Sequence, residues 1–93
     1  MIVEIEIHKF SLGRVFVEHD LRDLYPDDLR AALRRHVMGD WGECTAREWE
    51  QNDVALRDGG ILTSWYRNRE GKAFAVLTEA ERDVTAVCIP DAC

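Results

Sequence analysis

Long apolar runs are missing from this chain. No stretch approaches the roughly 18 residues that a membrane span needs. Glu4 and Glu6 also interrupt the opening Met1 to His8, where a secretory signal would require hydrocarbon, so the expected compartment is the cytoplasm. Cysteine is scarce: Cys44, Cys88 and Cys93 are odd in number and lack CxxC spacing, which suggests neither a disulfide framework nor a zinc knuckle. Cys88 lies in an apolar strand and reads as core, whereas Cys93, the last residue, reads as an oxidisable thiol. Phosphate-loop, dinucleotide, HExxH and GxSxG patterns are all missing, and Gly39, Gly42, Gly59 and Gly60 fit none of the spacings those motifs need. The expectation is a protein that is not an enzyme and has no cofactor.

What is present describes one α+β domain over residues 1–93. A chain of 93 residues buries only about 60 to 65 percent of the surface its unfolded form exposes, which is enough for a single modest core. Its hydrophobic fraction of 46% and charged fraction of 32% are those of a folded protein. Twelve basic against eighteen acidic side chains leave a net charge of −6, which repels phosphate backbones at long range and disfavours generic nucleic-acid binding.

The alternation of Val3, Ile5 and Ile7 with Glu4, Glu6 and His8, followed by Ser11-Leu12-Gly13 and then Val15-Phe16-Val17, predicts an opening hairpin. Pro26 suits a first helical position, where its missing N–H costs nothing. Asp27 and Asp28 at the start and Arg34, Arg35 and His36 near the end complement the helix dipole, and Gly39 is the stop. The inward stripe is Leu29, Ala32, Leu33 and Val37, with Leu24 folding back on Leu29. Thr45-Ala46-Arg47-Glu48 has the form of a capping box opening a second helix that ends at Gly59-Gly60. The inward stripe predicted there, Trp49 and Leu56, is interrupted by Asn52 and Asp53, a polar pair that needs partners. Strands follow over Ile61 to Asn68, Ala73 to Leu77 and Val84 to Ile89. The predicted order is β-β-α-α-β-β-β, an antiparallel sheet with two helices packed on one face.

Three segments could carry function. The first, His36 to Cys44, gathers an imidazole, carboxylates and a thiol between the helices, but His36, Asp40 and Cys44 form no recognised metal-ligand pattern. A structured turn, with Trp41 in the core and Asp40 bonding backbone amides, is the better account. Asn52 and Asp53 beside Trp49 suit either an acid-base site or, more plainly, an anchor to a neighbouring turn. The acidic loop Thr78 to Asp83 suits a basic partner or simple solvation. Arg67, Arg69 and Arg82 with Trp65 and Tyr66 would permit RNA contact if they lined one open sheet face.

The blocks Arg35-His36-Val37-Met38-Gly39-Asp40-Trp41-Gly42, Glu50-Gln51-Asn52-Asp53-Val54-Ala55-Leu56 and Val76-Leu77-Thr78-Glu79-Ala80-Glu81-Arg82 resemble a family of small uncharacterised proteins carried by phages, plasmids and other mobile elements. That family's pattern is RHxxGDWG, then ENDxAL, then a strand ending in ITEADR. Gln51 and Glu81 stand here where glutamate and aspartate are usual. The resemblance covers about residues 34 to 90 and implies a mobile-element setting without an activity. The resulting expectation is a small acidic accessory protein that docks on a host or defence protein complex, in the manner of anti-CRISPR proteins, through Asp40, Trp41, Glu43, Glu79, Glu81 and Asp83. The alternative is an RNA-cleaving domain like the RelE-type toxins, whose helix and strand order looks similar.

Overall fold

The computed structural model describes residues 8–21 and 23–90. The expected first strand of the opening hairpin, and Cys93, lie outside the described residues. From Arg14 onward the order is β1 (Arg14–Val17), a single 3-10 turn (His19–Leu21), α1 (Pro26–Val37), α2 (Ala46–Asp58), β2 (Leu62–Arg67), β3 (Ala73–Thr78) and β4 (Val84–Cys88).

Both helices begin and end where local chemistry directs. Pro26 occupies the first turn of α1, and the chain leaves that helix through Met38 and Gly39, the latter with φ of 79°. The capping box of α2 is complete: the Glu48 amide donates to Thr45 Oγ1 at 3.1 Å and the Thr45 amide donates to Glu48 Oε1 at 3.3 Å. Two exposed orphan amides are thereby satisfied.

The four strands lie in the order β1-β4-β3-β2. β2, β3 and β4 form the expected antiparallel meander, with Leu62 opposite Thr78 and Thr78 opposite Thr85. β1 differs from expectation: it pairs parallel to β4, Arg14 beside Val84 and Val17 beside Val87, so the sheet is mixed rather than antiparallel. Close approach permits this pairing. Gly13 adopts φ of 63°, and a Cβ there would collide with the Asp83 carbonyl at the entrance to β4. Alternation along β2 and β3 turns Tyr66, Phe74 and Val76 to one face, where they form the core with Leu21, Ala32 and Val87. Leu24, Leu29 and Leu33 pack against that cluster, as the predicted stripe of α1 requires. Cys88 is buried in β4.

α2 is anchored differently. Trp49 is exposed rather than inward-facing, and Asn52 is the buried residue of this helix. Asn52 Nδ2 donates to the Thr63 carbonyl at 2.8 Å, while the Thr63 amide donates to Asn52 Oδ1 at 3.0 Å. The side-chain amide thus stands in for a neighbouring strand on the outer edge of β2. Next along that edge, the Trp65 amide donates to the Trp41 carbonyl at 3.0 Å and the Glu43 amide donates to the Trp65 carbonyl at 2.7 Å. Gly42 makes this possible: with φ of 75°, a Cβ would strike the Trp65 carbonyl and the Tyr66 ring. The Asn52-Asp53 pair therefore has the structural partners the sequence demanded, since Asp53 Oδ1 accepts from Trp41 Nε1 at 2.9 Å.

Candidate functional site

The segment between the helices is a built turn. Arg35 grips Asp40 through two bonds, at 2.8 and 3.2 Å, and Asp40 Oδ1 also accepts from the Gly42 amide at 3.1 Å. The Arg35 guanidinium, with the Gly42 amide, holds the Asp40 carboxyl below the usual carboxylate range. Tyr66 donates its hydroxyl to the Asp40 carbonyl at 2.6 Å. Trp41 is fully buried, stacked near Phe10 at 6.3 Å and edge-on to His36 at 5.7 Å. It cannot serve as the surface aromatic expected of a docking residue. Burial, with Glu48 and Asp40 nearby, pushes the Cys44 thiol up, which makes it a poor thiolate nucleophile or metal ligand.

His36 does not face Asp40 or Cys44 at all. It is completely buried, with Nδ1 at 2.5 Å from Ser64 Oγ and Nε2 at 2.8 Å from Thr78 Oγ1. Thr78 Oγ1 lies 2.8 Å from Thr85 Oγ1, and Thr85 donates to the Leu12 carbonyl at 2.7 Å. A carbonyl can only accept, so the direction of the whole chain follows. Thr85 spends its proton on Leu12 and must accept from Thr78. Thr78 then has no proton left and must accept from His36. His36 therefore carries hydrogen on Nε2, and its bare Nδ1 accepts from Ser64. A neutral imidazole satisfies every member, and burial, with the Arg82 charge, depresses the His36 pKa to about 3. Sequence reasoning placed His36 at a helix end and missed Ser64, Thr78 and Thr85. The alternation Leu62-Ser64-Tyr66 was the signal, because it sends Ser64 to the same side as two core residues.

The acidic loop is the exposed feature. Glu79, Glu81 and Asp83 are all exposed, their carboxylate oxygens lie within 4.8 Å of one another, and none has an ion-pair partner among the described residues. Arg82, in the same loop, points the other way: it adopts φ of 60°, and its guanidinium donates to the carbonyls of Gly60 at 2.5 Å, Glu79 at 3.0 Å and Ala55 at 3.1 Å. Those carbonyls include the C-terminal end of α2, where a cation is favoured. One guanidinium thus pins the β3-β4 turn to the helix and leaves the three carboxylates outward.

The six residues nominated for docking do not form one patch. Glu43 lies on the outer edge of β2, its side chain paired with Arg67 at 2.6 Å and its amide bonded to the Trp65 carbonyl. Glu79 follows Thr78, which sits opposite Leu62 at the near end. Leu62 and Trp65 are three residues apart along β2, about 10 Å of rise, and Glu43 and Glu79 lie on opposite sides of that strand. The arginines considered for RNA contact are also occupied: Arg67 by Glu43 and the Gly71 carbonyl, Arg69 by Asp28 in a bidentate pair at 3.1 and 3.0 Å, and Arg82 by backbone. Arg69 additionally stacks over Tyr25 at 3.9 Å. Tyr66 is buried on the core face, whereas Trp65, one residue earlier, faces the opposite side, so these five residues share no face. Among the described residues, no helix is long and apolar enough to cross a membrane. No protein-family profile, curated protein or solved structure matches the chain.

Proposed function

We propose that this protein is a small acidic accessory factor that acts by docking on a larger host or defence protein complex, as an inhibitor of it, and that the β3-β4 loop supplies the contact. The observation that carries this reading is the asymmetry of the charges. Arg35, Arg67, Arg69 and Arg82 are each consumed by internal bonds. Glu79, Glu81 and Asp83 converge outward with no such partner among the described residues. A cluster of this kind is complementary to the basic surfaces that nucleic-acid-handling machines present, and it would compete there with phosphate. Asp40 and Glu43 contribute less, because Arg35 and Arg67 already neutralise them.

The test is a tagged pull-down from bacterial lysate, with and without nuclease, using the native chain and a Glu79→Lys, Glu81→Lys, Asp83→Lys variant. The reading expects a nuclease-resistant protein complex retained by the native chain and lost by the variant. Retention of that complex by both chains would remove the loop from the interface. Recovery only of RNA that disappears with nuclease would overturn the reading in favour of an RNA-directed activity.

A further inference from the structure

The two edges of the sheet are treated in opposite ways. On β2, the outward groups of Thr63 and Trp65 are capped by Asn52 and by the Trp41-to-Glu43 segment. β1, at the other edge, has no such cover among the described residues. The Arg14 amide donates to the Asp83 carbonyl at 2.9 Å and the Glu18 amide to the Val87 carbonyl at 2.8 Å, so alternate residues of β1 face β4. The N–H and C=O groups of Val15 and Val17 must therefore point away from the sheet. The side chains of this strand are exposed as well: Val15 by 39%, Phe16 by 54% and Val17 by 41%. An unpaired edge lined with hydrocarbon is a template for strand addition.

We propose that β1 pairs antiparallel with β1 of a second copy of this chain, about a twofold axis centred on Phe16, joining two four-stranded sheets into one. The register follows from two requirements. First, outward-facing residues must meet outward-facing residues, which the alignment of Val15 with Val17 of the second copy satisfies twice over. Second, the alignment must cover the whole strand without opposing like charges. Centring on Phe16 sets Arg14 opposite Glu18 of the second copy, and Glu18 opposite Arg14 of the second copy. Shifting the centre by one residue in either direction breaks both ion pairs. Arg14, Phe16 and Glu18 share one face of the strand, so the two phenylalanines meet between the two ion pairs. Glu18 engages the Ile89 amide through Oε2 at 2.9 Å, and its other oxygen is left for the arginine.

Sedimentation analysis of the full chain over a dilution series should give a monomer-dimer equilibrium. Arg14→Glu and Glu18→Arg should each weaken self-association by about tenfold, since each change turns two attractive pairs repulsive. Mixing the two variants should restore a heterodimer, because both of its pairs are then attractive. Val17→Pro, which deletes an outward N–H while sparing the β1-β4 ladder, should also weaken the dimer and covers the case in which Glu18→Arg disturbs the Ile89 contact. Hydrogen exchange should protect the Val15 and Val17 amides only at concentrations where the dimer forms. The proposal is overturned by a monomer at every concentration, by a dimer indifferent to these variants, or by protection of those two amides independent of concentration. That last result would mean the chain's own first seven residues occupy the edge.

Discussion

Acidification should destabilise this protein through His36 before its carboxylates matter. The imidazole is neutral and buried, with its pKa depressed to about 3 from the ordinary 6.5, whereas in the unfolded chain it recovers the ordinary value. Between those limits the unfolded chain binds a proton that the folded chain refuses. Stability from this group is therefore complete above pH 6.5 and falls as the pH drops toward 3. The slope is about 1.4 kcal/mol per pH unit, which amounts to roughly 2 to 3 kcal/mol lost on going from neutral pH to pH 4.5. For a domain whose total stability is on the order of 5 to 10 kcal/mol, that loss is large. Urea titrations followed by tryptophan fluorescence at several pH values would measure it, with His36→Gln as the reference. Glutamine can donate to Thr78 and accept from Ser64 without titrating. The variant retains His8, His19 and every carboxylate, so their contributions cancel in the difference. The wild type should lose roughly 2 to 3 kcal/mol more than the variant by pH 4.5. Parallel pH profiles for the two proteins would refute the assignment of a buried neutral imidazole.

Three further outcomes are expected. Asn52→Ala should cost about 2 to 4 kcal/mol, because it strands both the N–H and the C=O of Thr63; Asn52→Asp should not rescue it, since a carboxylate can accept from the N–H but repels the C=O. Denaturant unfolding of both variants is the check. Arg82→Gly relieves a positive φ yet removes three charge-assisted bonds, so it should still destabilise by about 1 to 3 kcal/mol, with amide exchange rising first at the end of α2; a stabilised variant would contradict the anchoring role. Gly42→Ala should cost at least about 2 kcal/mol by driving a methyl into the Trp65 carbonyl, and a melting temperature equal to wild type would disprove the strand-like contact.

Much of the architecture was legible because it depends on near neighbours. Pro26 and Gly39 bracket α1, Thr45 and Glu48 open α2, and short connections dictate the β2-β3-β4 meander. The pairing of β1 with β4 joins residues about seventy positions apart and leaves no local trace, so the sequence suggested an antiparallel sheet where the sheet is mixed. Burial of polar groups was half legible. Asn52 and Asp53 interrupted an apolar stripe and so announced a need for partners. His36 sat among arginines at a helix end and gave no such warning. Trp41 shows the opposite difficulty: the same aromatic ring suits a docking surface or a core, and only the positions of Phe10, His36 and Asp53 around it decide for the core.

The anchoring of the β3-β4 turn by Arg82 bears on recognition in general. A flexible loop must surrender conformational freedom when it is captured, at a cost of about 0.5 to 1.5 kcal/mol for each side chain that is immobilised. Here much of the backbone share of that loss is met during folding, when a single guanidinium ties the turn to the last carbonyls of α2. Whatever meets Glu79, Glu81 and Asp83 encounters a turn whose backbone is already anchored, with only the exposed side chains left to order. Its affinity is therefore set by the match of charge and shape, and its rate of association by diffusion and electrostatic attraction, with little delay for the loop to find its form.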